Sequence, residues 1–312
     1  MNTALAGYQS DYLQLRHIMG HALKEHGRLI SSFLAGMDAA SQDAISVEAA
    51  VQWACIPAGV TARQRAARLS AVRAFAAFVH SQDPALAQII PAGLIPSRVV
   101  HALPYIYAEP QVQALMGAAL SLRPILRGLT LSTVIALMAA TGMRISECLA
   151  LNVADVDLGA AVLTVTGKRG HKRLVPIHPT TVTALSGYLR SSRNLTASAD
   201  TQAFFLNFQG TRSQPSGIQS AFRGLTVGLG YRPRPGGKNP RLHDLRHTFA
   251  TNALIRAHRE GADVDARVAV LATYLGHVSP SSTYWYLSFT PELLELAARK
   301  VDAAQQQGGL LS

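Results

Sequence analysis

Four short segments of this sequence each set a cationic or proton-transferring side chain beside apolar positions. In Thr141-Gly142-Met143-Arg144-Ile145-Ser146-Glu147, Arg144 emerges between two apolar stretches. Thr166-Gly167-Lys168-Arg169-Gly170-His171-Lys172-Arg173 reads as a basic turn. Arg241-Leu242-His243-Asp244-Leu245-Arg246-His247-Thr248 opens a helix, and its i, i+3 spacing puts His243 and Arg246 on one face. Leu275-Gly276-His277 is followed nine residues on by Tyr286. Guanidinium forks and an ammonium match the oxygens of phosphate or carboxylate. Imidazole exchanges protons near neutrality, and a phenol with a base at hand is a covalent nucleophile.

Each segment alone also has a plainer reading. Arg144 would serve as the surface ion-pair partner of Glu147, and a basic hairpin tip is a solvated face in which Arg169, Lys172 and Arg173 rival Lys168. His243 and His247 stand at i, i+4, as a helical zinc pair would. Asp244, however, occupies the position where the metalloprotease pattern needs Glu, and Arg246 would set a cation beside the metal. No metal is expected.

Charge points the same way as the segments. The 312 residues carry 29 Lys and Arg against 18 Asp and Glu, a formal +11. The first 100 hold 8 basic and 6 acidic residues, the remainder 21 and 12, so the field lies in the second part. An acidic polymer is the expected partner. The longest apolar stretch, Leu131 to Met143, is interrupted by Ser132, Thr133, Thr141 and Gly142, too short for a membrane span. No secretory leader shows in MNTALAGYQSDYLQ, and Cys55 and Cys148 read as reduced and buried, so a cytoplasmic protein is expected.

The elements that must position these residues fall either side of a proline cluster. Pro84, Pro91, Pro96 and Pro104 mark a break that no helix tolerates internally. We expect a helical domain over 1–95, a linker over 96–104 and a second domain over 105–312. In the first, Leu13, Ile18, Leu23, Leu29, Phe33, Val51, Trp53, Leu69, Val72 and Phe75 recur near helical spacing. Arg63, Arg65, Arg68 and Arg73 surround one helix there, placed to reach phosphates or to form a solvated face. In the second, helices are expected over Ala108–Leu122, Leu129–Ala140 and Ile145–Leu151, with Gly142 as a left-handed cap. Val162–Thr166 and Arg173–Ile177 pair as a hairpin, and helices resume over Pro179–Arg190 and from His243 onward. The fold class is mainly α with a small β-hairpin.

The ordered set Arg144, Lys168, His243-x-x-Arg246, Leu275-Gly276-His277 and Tyr286 resembles the tyrosine recombinase (phage integrase) family, over about residues 105–300. The most specific match is His243-Asp244-Leu245-Arg246-His247-Thr248-Phe249-Ala250-Thr251. Pro104-Tyr105-Ile106-Tyr107 and Tyr284-Trp285-Tyr286-Leu287 are similar to the recombinases encoded in trios within bacterial mobile elements.

The resemblance implies an N-terminal all-α core DNA-binding domain and a C-terminal catalytic domain. It implies a site-specific recombinase or integrase that cuts and rejoins DNA through a 3′-phosphotyrosyl intermediate. Tyr286 would be the nucleophile, Arg144 and Arg246 would clamp the phosphate, and Lys168 would protonate the leaving 5′-oxygen. His243 and His277 would exchange protons or bind the phosphate, with Glu147 in support. Tyr284 is a rival nucleophile on the opposite side of a helix. Arg232, Arg234, Lys238 and Arg241, in a Pro- and Gly-rich loop, would track the DNA backbone with Arg63, Arg65, Arg68, Arg73, Arg169, Lys172 and Arg173. No cofactor is implied, and the partner is double-stranded DNA, bound by a homotetramer or a mixed assembly on two sites. A type IB topoisomerase or a non-catalytic DNA-binding accessory protein are the alternatives. Residues 258–265 read as an extra polar excursion, and Pro291 opens an amphipathic tail expected to dock on a neighbouring protomer.

Overall fold

The computed structural model describes residues 3–20, 23–56, 58–96, 103–167, 170–196, 201–233 and 235–276. Lys168, Arg169, Arg234, His277, Tyr284, Tyr286 and the tail lie outside the described residues. The chain divides into two compact units, Met1–His101 and Ala102–Ser312.

The first unit is built from helices α1 (Thr3–Ile18), α2 (Lys24–Ala39), α3 (Val47–Cys55) and α4 (Ala62–Gln82). Helix α3 starts where the Ser46 hydroxyl accepts the Ala49 N–H at 3.1 Å. Helix α4 starts in a reciprocal box, Gln64 N–H to Thr61 Oγ1 at 3.2 Å and Thr61 N–H to Gln64 Oε1 at 2.8 Å. Such a cap contributes about 1 kcal/mol. Of the apolar residues read in the sequence, Leu29, Phe33, Trp53, Leu69, Val72 and Phe75 enter the core, joined by Leu5, Tyr12 and Ile30, whereas Ile18 at the end of α1 is exposed. Each large side chain buried there stabilises by about 1.5–3 kcal/mol. The segment after α4 is pinned back by Ile45 N–H to Leu86 O and Gln88 N–H to Ile45 O, both 2.8 Å. Cys55, expected to be buried, is exposed at the end of α3.

In the second unit, α5 (Glu109–Leu120) and α6 (Ile125–Thr141) lead to the short helix α7 (Ile145–Ala150). Helix α6 is apolar almost all round and is covered on nearly every side. It ends at Gly142, in the left-handed conformation with φ +63°, which glycine adopts without the steric cost that a Cβ brings. Strands β1 (Val156–Asp157), β2 (Val162–Thr166) and β3 (Lys172–Pro176) form an antiparallel sheet in the order β1-β2-β3. The expected hairpin is therefore extended by a third, two-residue strand. Register pairs Leu163 with Val175 and Val165 with Arg173, so these four share the face that turns to the core. Helices α8 (Pro179–Leu195), α9 (Pro215–Gly228), α10 (Asp244–Arg259) and α11 (Val264–Leu275) complete the described part.

Thr130 and Tyr188 form a buried polar network in this unit. The Tyr188 hydroxyl accepts the Leu206 N–H at 2.9 Å and meets Thr130 Oγ1 at 2.9 Å, while Thr130 donates to Leu206 O at 2.8 Å. The polar stretch read as an excursion over 258–265 is a tight helix-to-helix turn. Helix α10 runs through Arg259, Gly261 takes φ +70°, and Asp263 Oδ1 caps α11 by accepting the Asp265 and Ala266 N–H groups. Among the described residues no helix is long and apolar enough to cross a membrane.

Candidate active site

Arg144 is the N-cap of α7, directly after the glycine corner that ends α6. Three residues on, the Glu147 carboxylate reaches back. Its Oε2 accepts the Arg144 backbone N–H at 3.0 Å and its Oε1 accepts Arg144 NH1 at 2.9 Å. Arg173 forks onto the same carboxylate, NH1 to Oε1 at 3.2 Å and NH2 to Oε2 at 2.9 Å. The Glu147 side chain is only 5 % exposed. Burial pushes its pKa up, but hydrogen bonds from Arg173 and Arg144 outweigh burial and hold it below the usual carboxylate range.

Arg246, on the first turns of α10, is 1 % exposed. Its NH1 donates to Gly142 O at 2.7 Å and its NH2 to Leu275 O at 2.8 Å. The second contact belongs to a group. Arg173 Nε donates to Tyr274 O at 2.9 Å, and Arg144 NH2 makes a long 3.5 Å approach to Gly276 O. Three guanidiniums from α7, β3 and α10 thus meet three successive carbonyls at the end of α11. The last carbonyls of a helix have no partner within it and carry its negative dipole end, so cations are favoured there. Gly276 takes φ +65°, and a Cβ there would lie 3.1 Å from Arg173 NH1. Both favour glycine.

His243 sits immediately before α10, its ring edge-to-face with His247 at a centroid distance of 4.9 Å. The next residue, Asp244, is fully buried and accepts the Arg241 backbone N–H and Arg241 NH2, both at 2.8 Å. The turn is braced by Tyr107, whose N–H donates to Thr248 Oγ1 at 3.0 Å and whose hydroxyl donates to Arg241 O at 3.1 Å. His243 keeps an exposed edge. Crowding of its ring by protein, then the Arg246 guanidinium, hold its imidazole below the ordinary pKa; Asp244 opposes this, and Arg241 and Arg144 add to it. Such an imidazole is neutral at pH 7 and can accept a proton or a hydrogen bond.

The structure therefore brings Arg144, Glu147, His243 and Arg246 into one neighbourhood, with Arg173 and the end of α11. Against Glu147, the three guanidiniums of Arg144, Arg173 and Arg246 leave an excess of positive charge, a setting for an anion. Among the described residues no group of three His, Cys, Asp or Glu side chains could hold a metal ion.

Three residues expected at a DNA surface are engaged elsewhere. Arg173 faces inward because it shares the alternation of buried Val175 and is tied to Glu147 and Tyr274. Arg68 lies over the Trp53 ring, 3.8 Å from its centroid, and donates to Trp53 O at 3.0 Å. Arg241 is held by Asp244, although nearly half of its side chain stays open. Arg63, Lys172, Arg232 and Lys238 are exposed, and Arg65 and Arg73 are half-buried on α4. The carbonyls of Tyr274, Leu275 and Gly276 gave no sign in the sequence, since a main-chain acceptor has no residue type.

A mainly helical domain with a small antiparallel sheet thus gathers guanidiniums from separate elements around one helix end. The phage integrase family model matches residues 107–292. The protein y4rB of Sinorhizobium fredii, whose name places it among integrases and recombinases, is 37% identical over 299 residues, covering 94% of this chain and 95% of its own. The tyrosine recombinase XerC of Pelotomaculum thermopropionicum is 30% identical over 254 residues, covering 78% of this chain and 76% of its own. The XerH site-specific recombinase, solved on its palindromic difH substrate in a post-cleavage complex, is similar in fold. Its TM-score is 0.63 at 18% identity, covering 96% of this chain and 84% of that one. This chain belongs to the phage integrase family of tyrosine recombinases.

Proposed function

We propose that the protein is a site-specific DNA recombinase that cuts and rejoins duplex DNA through a 3′-phosphotyrosyl intermediate. The Tyr286 oxygen attacks the scissile phosphorus, the bond to the 5′-oxygen breaks, and that oxygen takes a proton from Lys168. Arg144 and Arg246 stabilise the added negative charge on the non-bridging oxygens, a setting in which one preorganised donor is typically worth about 10²–10³ in rate. His243 and His277 move or share protons at the phenol and the phosphate. Attack by another strand's 5′-hydroxyl reverses the step, so no external energy source is needed. Arg63, Arg65, Arg73, Lys172, Arg232 and Lys238 contact the DNA backbone, together with Arg169 and Arg234, and exchange takes place in a tetramer on two sites. The domain assignment follows: 1–95 grips DNA, 96–104 links, and 105–312 carries the chemistry.

The observation that supports this most is the meeting of Arg144 with His243 and Arg246, which lie about a hundred residues further along the chain, beside a surplus of positive charge. The test uses a pool of nicked duplexes with randomised arms, incubated with the full chain and resolved on a denaturing gel. A covalent protein–DNA band that is lost in Tyr286→Phe and kept in Tyr284→Phe is expected. Relaxation of any supercoiled plasmid without site preference would instead make it a topoisomerase, and binding without covalent capture would remove the catalytic reading.

A further inference from the structure

Glu147 is saturated. A carboxylate offers about four lone-pair sites, and all four are taken: Oε1 by Arg144 NH1 and Arg173 NH1, Oε2 by the Arg144 backbone N–H and Arg173 NH2. Arg144 therefore has a single side-chain bond to Glu147 and cannot close the two-pronged pairing that guanidinium and carboxylate prefer. Among the described residues its outer nitrogen, NH2, makes only the 3.5 Å approach to Gly276 O. The Arg144 side chain is 30% exposed and that of Arg173 17%. Arg173 is itself held by its place on β3 opposite Val165 and by Tyr274 O at 2.9 Å, and a Cβ at position 276 would lie 3.1 Å from its NH1.

We propose that Arg173 is a positioning residue: by filling two sites on Glu147 it prevents Arg144 from folding onto that carboxylate and keeps the outer edge of Arg144 directed at the target phosphate. This rests on the recombinase reading above. Without Arg173, two lone pairs open on a buried carboxylate, and among the described residues Arg144 is the donor already bonded to it and able to fill them. The guanidinium then turns inward to a bidentate pair and withdraws from the phosphate. Arg173 touches no reacting atom; it acts through Glu147, and what it sets is the number of donors that Arg144 keeps.

The test compares the full chain with Arg173→Gln and Arg173→Lys on a nicked duplex captured from the pool, carrying either the phosphodiester or a neutral methylphosphonate at the cleavage point. Partners one layer behind a working ligand typically matter by about 10- to 100-fold. We expect a loss of that order for Arg173→Gln on the phosphodiester. On the methylphosphonate, which lacks the charge that Arg144 would meet, the loss should be several times smaller. Arg173→Lys, with one ammonium in place of a fork, should lie between the two. Equal losses on both substrates at unchanged melting temperature would overturn the proposal, since general loosening of the fold does not distinguish them. A crystal structure of Arg173→Gln, or of Arg173→Lys if the first does not fold, judges the idea without DNA. Arg144 giving both NH1 and NH2 to Glu147 supports it, and an unmoved Arg144 refutes it. If the unaltered chain captures no duplex, the recombinase reading falls, and the crystal structure alone decides the role of Arg173.

Discussion

Replacing Gly142 by alanine strikes the corner on which Arg144 and Arg246 both depend. Gly142 has φ +63°, and a Cβ built on it would lie 2.5 Å from Phe249 Cδ1 and 2.9 Å from Leu275 Cδ2. The left-handed backbone costs a residue with a Cβ about 1–2 kcal/mol. Overfilling a packed site adds about 1–3 kcal/mol. The expected loss is therefore roughly 2–5 kcal/mol, a large part of the ~5–15 kcal/mol that holds a typical domain. Gly261→Ala supplies the control, because Gly261 has φ +70° but nothing within 4 Å of its would-be Cβ. It carries the backbone cost alone. Urea unfolding of both variants, compared at a common slope, isolates the steric part. A second effect follows from the Gly142 carbonyl, which accepts from Arg246 at 2.7 Å. Displacement of that oxygen should lower DNA cleavage by more than the fraction of protein unfolded. If Gly142→Ala proves no more costly than Gly261→Ala, the close approach of Phe249 and Leu275 does not constrain the corner, and the reasoning that places Arg246 by it is wrong.

Other perturbations test separate parts of the argument. Arg212 donates NH1 to Leu149 O at 2.6 Å and to Leu151 O at 3.0 Å, closing the end of α7 opposite Arg144; Arg212→Met should cost about 2–4 kcal/mol in denaturant unfolding, and a loss under half a kcal/mol would discount that closure. His243 has a folded pKa below its unfolded value, so the unfolded chain takes up the proton first as pH falls. Stability should therefore drop as pH falls below about 6.5, and His243→Asn should flatten part of that slope; an unchanged slope refutes the assignment. Cys148 is buried, and burial followed by the Glu147 charge pushes its thiol pKa far up, whereas Cys55 is exposed. A thiol reagent should modify one cysteine per native chain, at Cys55, and rapid modification of Cys148 would contradict its burial.

The parts of the fold carried by side-chain pattern were legible in the sequence. The apolar run of α6, its end at Gly142, and the β-branched strand Val162–Thr166 stand where the residues pointed. Arg144 and Arg246 were legible too, because glycine, arginine and histidine at fixed offsets are rare in combination. Helix α9 was passed over although Ile218, Phe222 and Leu225 repeat at helical spacing after Pro215, with prolines and glycines on both sides masking the signal. Strand β1 has two residues, too few for any period. The inward turn of Arg173 was readable in principle: it lies two residues before buried Val175, and strand alternation puts both on one face. Charge suggested DNA, but geometry decided otherwise. Arg68 misled in the same way, since nothing in its own segment announces Trp53, fifteen residues earlier, as a seat.

The acceptors that the three arginines meet at the end of α11 are main chain, and that has a consequence for how the arrangement tolerates genetic drift. No codon change at 274 or 275 deletes a carbonyl. Those positions are free to exchange side chains so long as Tyr274 keeps its stack on Phe249 and Leu275 its burial. The vulnerability lies in shape. Unwinding a single turn would withdraw all three of these acceptors at once, leaving Arg144 and Arg173 to Glu147 and Arg246 to the Gly142 carbonyl.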